Sequence, residues 1–225
     1  MEKNGYIIIR DAVKYPSLKL RRLEKDNRVH SKIMWQLRFE VKKYYEELWN
    51  TNDLVSCFGG NLIDNDSFNL PWHVDQNNSR KKNIHSYQGI LALTSSNSTH
   101  LLVKSHKYFD SMTNRCTNKN KYEWEYYEIP DTDYIWKKGL KIKIPELNAG
   151  DLLIFDSRII HKVLSTNKRS VVYISMEPRN NLSNLVERLR KKAYKENFST
   201  THWCSKLIKR DKDYPWQELN YNRLV

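Results

Sequence analysis

Two stretches far apart in the chain carry complementary chemistry, and the fold has to bring them together. The first is Pro71-Trp72-His73-Val74-Asp75-Gln76. In extended backbone, side chains at i and i+2 leave from one face, so His73 and Asp75 aim an imidazole and a carboxylate at one spot. The second runs from Gly150-Asp151-Leu152-Leu153-Ile154-Phe155-Asp156-Ser157-Arg158 to His161, with Arg169 opening the apolar run Val171-Val172-Tyr173-Ile174 soon after. Two imidazoles and a carboxylate are the donor set of a facial metal site that leaves coordination positions open. His-x-Asp alone is a common tripeptide, and a bland reading makes His161 a satisfied surface histidine and Asp75 a turn residue. The joint pattern is what carries the signal. With no cysteine adjacent in sequence, a structural zinc site is disfavoured.

The rest of the chain predicts many short strands with helical cover. Tyr6 to Arg10 reads as a strand, and residues 17–27 as a loop or poor helix. From Val29 to Trp49, apolar residues recur at helical spacing and Asn50 to Asp53 stop the run. Leu54 to Ile63 alternates, with a bend expected at Gly59-Gly60. Asn65 to Leu70 and the basic stretch Asn77 to Asn83 read as loops, and Tyr108 to Tyr127 as helical or irregular, with Trp124, Tyr126 and Tyr127 as packing residues. Ser86 to Thr94, His100 to Lys104, Lys141 to Pro145, Leu152 to Phe155 and Arg169 to Met176 read as strands. Asn181 to Phe198 reads as a helix whose apolar stripe is Leu182, Leu185, Val186 and Leu189. Beyond it, Trp203, Trp216 and Tyr221 suggest a docked tail. The expected architecture is mainly β with flanking helices, a jelly roll with the metal residues at one mouth. It is expected to be a single domain over 1–225, with its core at about 5–178 and a C-terminal helix and docked tail over 181–225.

The 225 residues carry a formal net charge of +13, which fits nucleic acid or another polyanion as partner, or simply a lysine-rich solvated surface. Three scattered cysteines and no signal-like or spanning stretch lead to the expectation of a reducing, cytoplasmic setting. Arg169 presents a forked, permanently charged donor pair that matches a carboxylate, such as the distal one of 2-oxoglutarate. Gln88 lies on the otherwise apolar face of Ile90 and Ala92 and needs a partner, either a co-substrate or local backbone.

These stretches, with Gly5-Tyr6-Ile7-Ile8-Ile9-Arg10, Leu48 to Ser56, Tyr87-Gln88-Gly89 and Ser105-His106, resemble the phytanoyl-CoA dioxygenase-like family of Fe(II)/2-oxoglutarate-dependent oxygenases. The likeness is greatest to its viral and microbial members with a Trp-His-x-Asp-Gln motif. It spans residues 5 to about 178. The resemblance implies a double-stranded β-helix (cupin-like) and a catalytic iron at His73, Asp75 and His161. It also implies 2-oxoglutarate on Arg169, O2 as oxidant, and hydroxylation of a substrate, a small molecule for preference, with release of succinate and CO2. Asp75, standing where a glycine or alanine would open a halide position, favours hydroxylation over halogenation. One departure is Lys104, where the family's turn has glycine. Two other readings fit the same residues: a non-catalytic binding or structural protein on the same fold, and an oxygenase acting on nucleic acid through the basic surface.

Overall fold

Antiparallel pairing of the β-branched runs builds two main sheets, and His73 and His161 sit on the smaller one. The computed structural model describes residues 1–26, 28–64, 69–76, 85–113, 127–131, 133–164, 169–196, 198–204 and 207–208. The basic stretch at 77–83 and Trp124, Tyr126, Trp216 and Tyr221 lie outside the described residues.

The larger sheet contains β1 (Tyr6–Ile9), β2 (Leu54–Ser56), β3 (Asn61–Asp64), β5 (Tyr87–Ala92), β9 (Leu152–Asp156) and β11 (Arg169–Pro178), in the order β1-β9-β5-β11-β2 with β3 also on β11. The smaller sheet contains β4 (Asn69–Val74), β6 (Thr99–Leu102), β7 (Tyr127–Glu128), β8 (Ile142–Lys143) and β10 (His161–Leu164), in the order β7-β4-β10-β6-β8. A two-stranded ribbon, β12 (Ser199–Thr200) with β13 (Leu207–Ile208), follows near the C-terminus.

The larger sheet is buried on both faces, and the period-2 alternation of its side chains explains why. Leu91, Leu152, Ile154, Val172 and Ile174 point toward the helices and join Leu23, Ile33, Met34, Leu37, Val41 and Tyr45. Their neighbours Ile90, Leu153, Phe155 and Val171 point the other way and join Leu101 of the smaller sheet. Removing that much apolar surface from water is the main force holding the layers together.

The helix α2 (Lys32–Trp49) starts three residues later than Val29 because the Ser31 hydroxyl caps it, accepting from the Met34 N–H at 3.4 Å. Asn50 ends it in the left-handed region at φ 51°. Residues 17–27, expected as loop or poor helix, fall mostly in α1 (Pro16–Lys25), the second of these. Pro16 opens it at a position where the missing N–H costs nothing, and Leu23 is buried in the core.

The expected bend at Gly59-Gly60 is a break between β2 and β3, both of which pair with β11. A side chain on Gly59 would come 2.6 Å from the Tyr173 carbonyl oxygen, so only glycine permits the approach. Gly150 turns the chain into β9 at φ +99°, and Asp151 closes that turn by accepting from the Asn148 N–H at 2.8 Å and the Asp11 N–H at 3.0 Å.

The C-terminal helix α4 (Asn184–Lys195) is present, but its buried face differs from the expected stripe. Leu185 and Leu189 are exposed, 58% and 42%, while Arg190, Ala193 and Tyr194 are buried. Ala193 and Tyr194 pack on Val29, Trp35 and Phe58 rather than on a bare sheet face. The Arg190 guanidinium is admitted because it donates to two backbone carbonyls, Cys204 O and Ser56 O, both at 2.6 Å. No helix among the described residues is long and apolar enough to cross a membrane.

Candidate metal centre

Strand pairing is what closes the long sequence gap between the two histidines. β10 lies antiparallel to β4 with His161 directly opposite His73, and the ring centroids are 4.1 Å apart. Asp75 follows His73 by two positions and faces the same way. Potential ligand atoms of His73, Asp75 and His161 all lie within 4.8 Å of one another.

Backbone carbonyls fix which ring nitrogen faces this point. His73 Nδ1 bonds Pro71 O at 2.7 Å, and His161 Nδ1 bonds Ile159 O at 3.0 Å. A carbonyl can only accept, so each Nδ1 carries a proton and each Nε2 is the atom turned toward the shared point. The Nε2 atoms lie 3.5 Å (His73) and 3.3 Å (His161) from the two Asp75 oxygens. Burial, aided by the neighbouring His161, pushes the His73 imidazole down to about 4, so it is neutral at pH 7. Burial alone would raise the Asp75 carboxyl, but the His161 and His73 rings outweigh it and hold the group well below the usual carboxylate range. The neutral His73 imidazole and the ionised Asp75 carboxylate, with the His161 ring opposite, form a donor set that suits a cation.

The three residues border a cavity of ≈ 340 Å³ whose other walls include Ile90, Phe155, Val163 and Tyr173. Gln88 lines it too, and among the described residues its buried Nε2 has no hydrogen-bond partner. Arg169 is buried at the start of β11 and donates from Nη1 to the Ser98 hydroxyl at 2.6 Å. Strand alternation puts it on the same face as Tyr173 and Ser175, which line the cavity, though Arg169 is not itself among the lining residues. His85, His100 and His106 stand elsewhere: His85 stacks on Trp49, His100 lies by Trp72, and His106 bonds Glu2 O.

Three features shape the site beyond the candidate ligands, and of these only a positioning role for Ser157-Arg158 in the loop before His161 was expected from the sequence. Gln76 and Ser157 tie the two ligand-bearing stretches together: the Ser157 hydroxyl donates to Gln76 Oε1 at 2.8 Å and accepts from the Ser86 N–H at 2.9 Å. Asp156 grips Arg158 through a fork of 2.8 and 2.6 Å and fixes the turn that delivers His161. Thr200, Thr201 and His202 line the cavity, so the tail expected to cover the outside of the sheets also forms a wall of the site. The motif neighbours Gln76 and Asp156 were visible as buried-type polar residues beside the ligands. Nothing local marked residues 200–202.

No family model matches the chain. It is 24% identical over 204 residues to "Ava biosynthesis cluster protein O" of Aspergillus versicolor, a match covering 80% of this chain but only 66% of that protein, just under two thirds. Among solved structures it is similar to the epimerase SnoN in complex with Fe3+, α-ketoglutarate and nogalamycin RO (TM-score 0.57, 14% identity, 77% of this chain and 78% of that one). It is also similar to HygX from Streptomyces hygroscopicus with nickel and 2-oxoglutarate bound (TM-score 0.55, 13% identity, 79% and 83%). A third is AviO1 from Streptomyces viridochromogenes Tue57 (TM-score 0.51, 13% identity, 79% and 92%). The fold is therefore a double-stranded β-helix, cupin-like, with flanking helices. At these identities the likeness speaks for the fold, and the chemistry has to be argued from this chain's own residues.

Proposed function

We propose that this protein is an Fe(II)/2-oxoglutarate-dependent oxygenase of the phytanoyl-CoA dioxygenase-like type, acting on a small molecule. The observation that carries the reading is the convergence of His73, Asp75 and His161 on one ion-sized point at a cavity wall. The donor set suits Fe(II): two imidazoles with Nδ1 on backbone carbonyls and Nε2 turned inward, one carboxylate, and room for further ligands. Gln88 suits the co-substrate, since a buried amide N–H without a partner gains from an oxygen placed in the cavity. The neighbours' bound iron or nickel with 2-oxoglutarate supports the same assignment.

His73, Asp75 and His161 would hold the iron, and Arg169 with Gln88 would hold 2-oxoglutarate, Arg169 at its distal carboxylate. Bound iron with 2-oxoglutarate and O2 supplies the oxidising chemistry that hydroxylates a C–H bond and releases succinate and CO2. The protein's part is positioning. The Pro71 and Ile159 carbonyls keep both imidazoles in the ligating tautomer. Ile90, Phe155, Val163 and Tyr173 wall the reacting point with apolar surface and limit water. A cavity of ≈ 340 Å³ matches a compact ligand, not a folded macromolecule.

The test is anaerobic Fe(II) titration followed by succinate measurement under O2. One equivalent of Fe(II) bound, and succinate formed only with 2-oxoglutarate, is the expected result. His161→Ala is expected to lose both. Unchanged Fe(II) affinity in His161→Ala would end the assignment.

A further inference from the structure

Cys57 and Cys204 are remote in sequence and adjacent in the fold, with their Sγ atoms 3.1 Å apart. Both are free thiols, 1% and 0% exposed. The surrounding hydrogen bonds hold the two backbones side by side. Arg190 bridges Cys204 O and Ser56 O, the Cys204 N–H donates to Glu177 Oε1 at 2.9 Å, and the Cys57 N–H donates to Ser175 O at 2.8 Å. The Cys57 thiol donates to His202 O at 2.8 Å, and the Cys204 thiol to Val55 O at 3.3 Å. Cys57 and His202 both line the cavity, so the dithiol lies at its wall.

Two chemistries compete for this pair. Glu177 completes a set of three groups that could hold a metal ion, with ligand atoms within 4.8 Å of one another. Two thiolates on one tetrahedral ion with Zn–S near 2.3 Å stand about 3.8 Å apart, wider than the pair observed. The Arg190 guanidinium bound to the Cys204 carbonyl also opposes a second buried cation. Closing to a disulfide bond of about 2.05 Å needs a shift of only about 1 Å. We propose that Cys57 and Cys204 are a peroxide-oxidisable dithiol whose disulfide fastens the C-terminal segment to β2 at the cavity wall.

The reaction balances with hydrogen peroxide as oxidant. One cysteine sulfur attacks a peroxide oxygen, the O–O bond breaks, and a sulfenic acid and water form. The second sulfur attacks the sulfenic sulfur, the S–O bond breaks, and a second water leaves. The two thiols give up two electrons and two protons, and the peroxide is reduced to two waters. Burial pushes the Cys57 thiol up, with Cys204 beside it adding to the effect, so thiolate is scarce at neutral pH and the cross-link forms slowly. Oxidation also removes the S–H donor to His202 O, which changes the cavity wall at that residue.

The experiment treats reduced, iron-free, full-length protein with hydrogen peroxide, alkylates remaining thiols, and maps the digest by mass spectrometry. A Cys57–Cys204 linked peptide is expected, about 2 Da lighter than its reduced parts and reversed by dithiothreitol. The oxidised protein should melt about 5 to 10 °C higher than the reduced one, a rise absent in Cys204→Ser. Recovery of both cysteines alkylated, or linkage of either to Cys116, overturns the proposal. So does tight binding of one Zn2+ that is lost in Cys204→Ser and blocks oxidation. The peptide map needs no variant, so it decides even if Cys204→Ser does not fold. Because no iron is present, the result is independent of the oxygenase assignment.

Discussion

Ser157 touches no proposed ligand, yet its hydroxyl ties the segment that follows β4 to the residue that precedes β5. It donates to Gln76, next to Asp75, and accepts from Ser86, next to β5. Ser157→Ala removes the hydroxyl's bond to Gln76 and takes the acceptor from the buried Ser86 N–H, a loss of about 1 to 3 kcal/mol. It should also weaken Fe(II) binding about 10- to 100-fold, as loss of supporting groups around a metal site does. Calorimetric melting and metal titration check the two effects separately, and an unchanged iron affinity would confine Ser157 to structure. Arg169 is predicted to act at the co-substrate. Arg169→Ala should raise the 2-oxoglutarate concentration for half-maximal turnover about 100-fold, since a buried carboxylate would lose its charged partner. Arg169→Lys should recover only part of this, because a point charge cannot replace a planar fork. Wild-type dependence in Arg169→Ala, read by succinate formation, would remove Arg169 from the site.

At the scale of elements, the turn between β9 and β10 converts a surface-type motif into a positioning device. Burial opposes ionisation of Asp156, but the Arg158 fork outweighs it and holds the carboxyl below its ordinary value. A carboxyl with a depressed folded pKa contributes stability above the unfolded pKa of about 3.9, and that stability is lost as pH falls through the folded value. Asp156→Asn should therefore cost about 1.5 to 3 kcal/mol at pH 7 and progressively less below about pH 4. Denaturant melts at pH 7 and pH 3 measure this, and equal losses at both would show that the charge is not what matters. Elements were legible where periodicity and burial agree. The strands of the larger sheet follow their apolar runs, and α2 follows its 3.6-residue spacing. α4 was misread because Leu185 and Leu189 repeat at helical spacing, yet a buried guanidinium occupies the packed face. Spacing reports where an apolar stripe is, but a charged side chain wins the interior when two carbonyls satisfy it. α1 stood open between loop and poor helix because its charge masks a proline start and one buried leucine.

At the scale of the molecule, the proposed metal ligands were legible because donor chemistry is written in residue identity, whereas the cavity wall was not. His73, Asp75 and His161 announce themselves by type. That Thr200, Thr201 and His202 return to the same cavity depends on how the tail docks, which no local pattern in residues 199–204 encodes. The docking rests on large buried groups: Tyr194 at 5% exposure, Trp203 at 1% and the Arg190 bridge. Burial of each aromatic contributes roughly 1.5 to 3 kcal/mol, and the hydrogen-bonded guanidinium anchors the segment further. Truncation after Arg179 should accordingly lower the melting temperature by about 10 °C or more, or leave the protein insoluble, and should open the cavity. Trp203→Ala, expected to cost about 3 to 5 kcal/mol, gives a milder version that keeps the chain intact. A truncated protein that melts with the full chain, binds Fe(II) and 2-oxoglutarate as before, and loses only affinity for a polyanion would make the tail a partner-binding arm. Its exposed Arg188, Lys191, Lys192 and Lys195 would then be its working face, and the cavity wall at residues 200–202 would be dispensable.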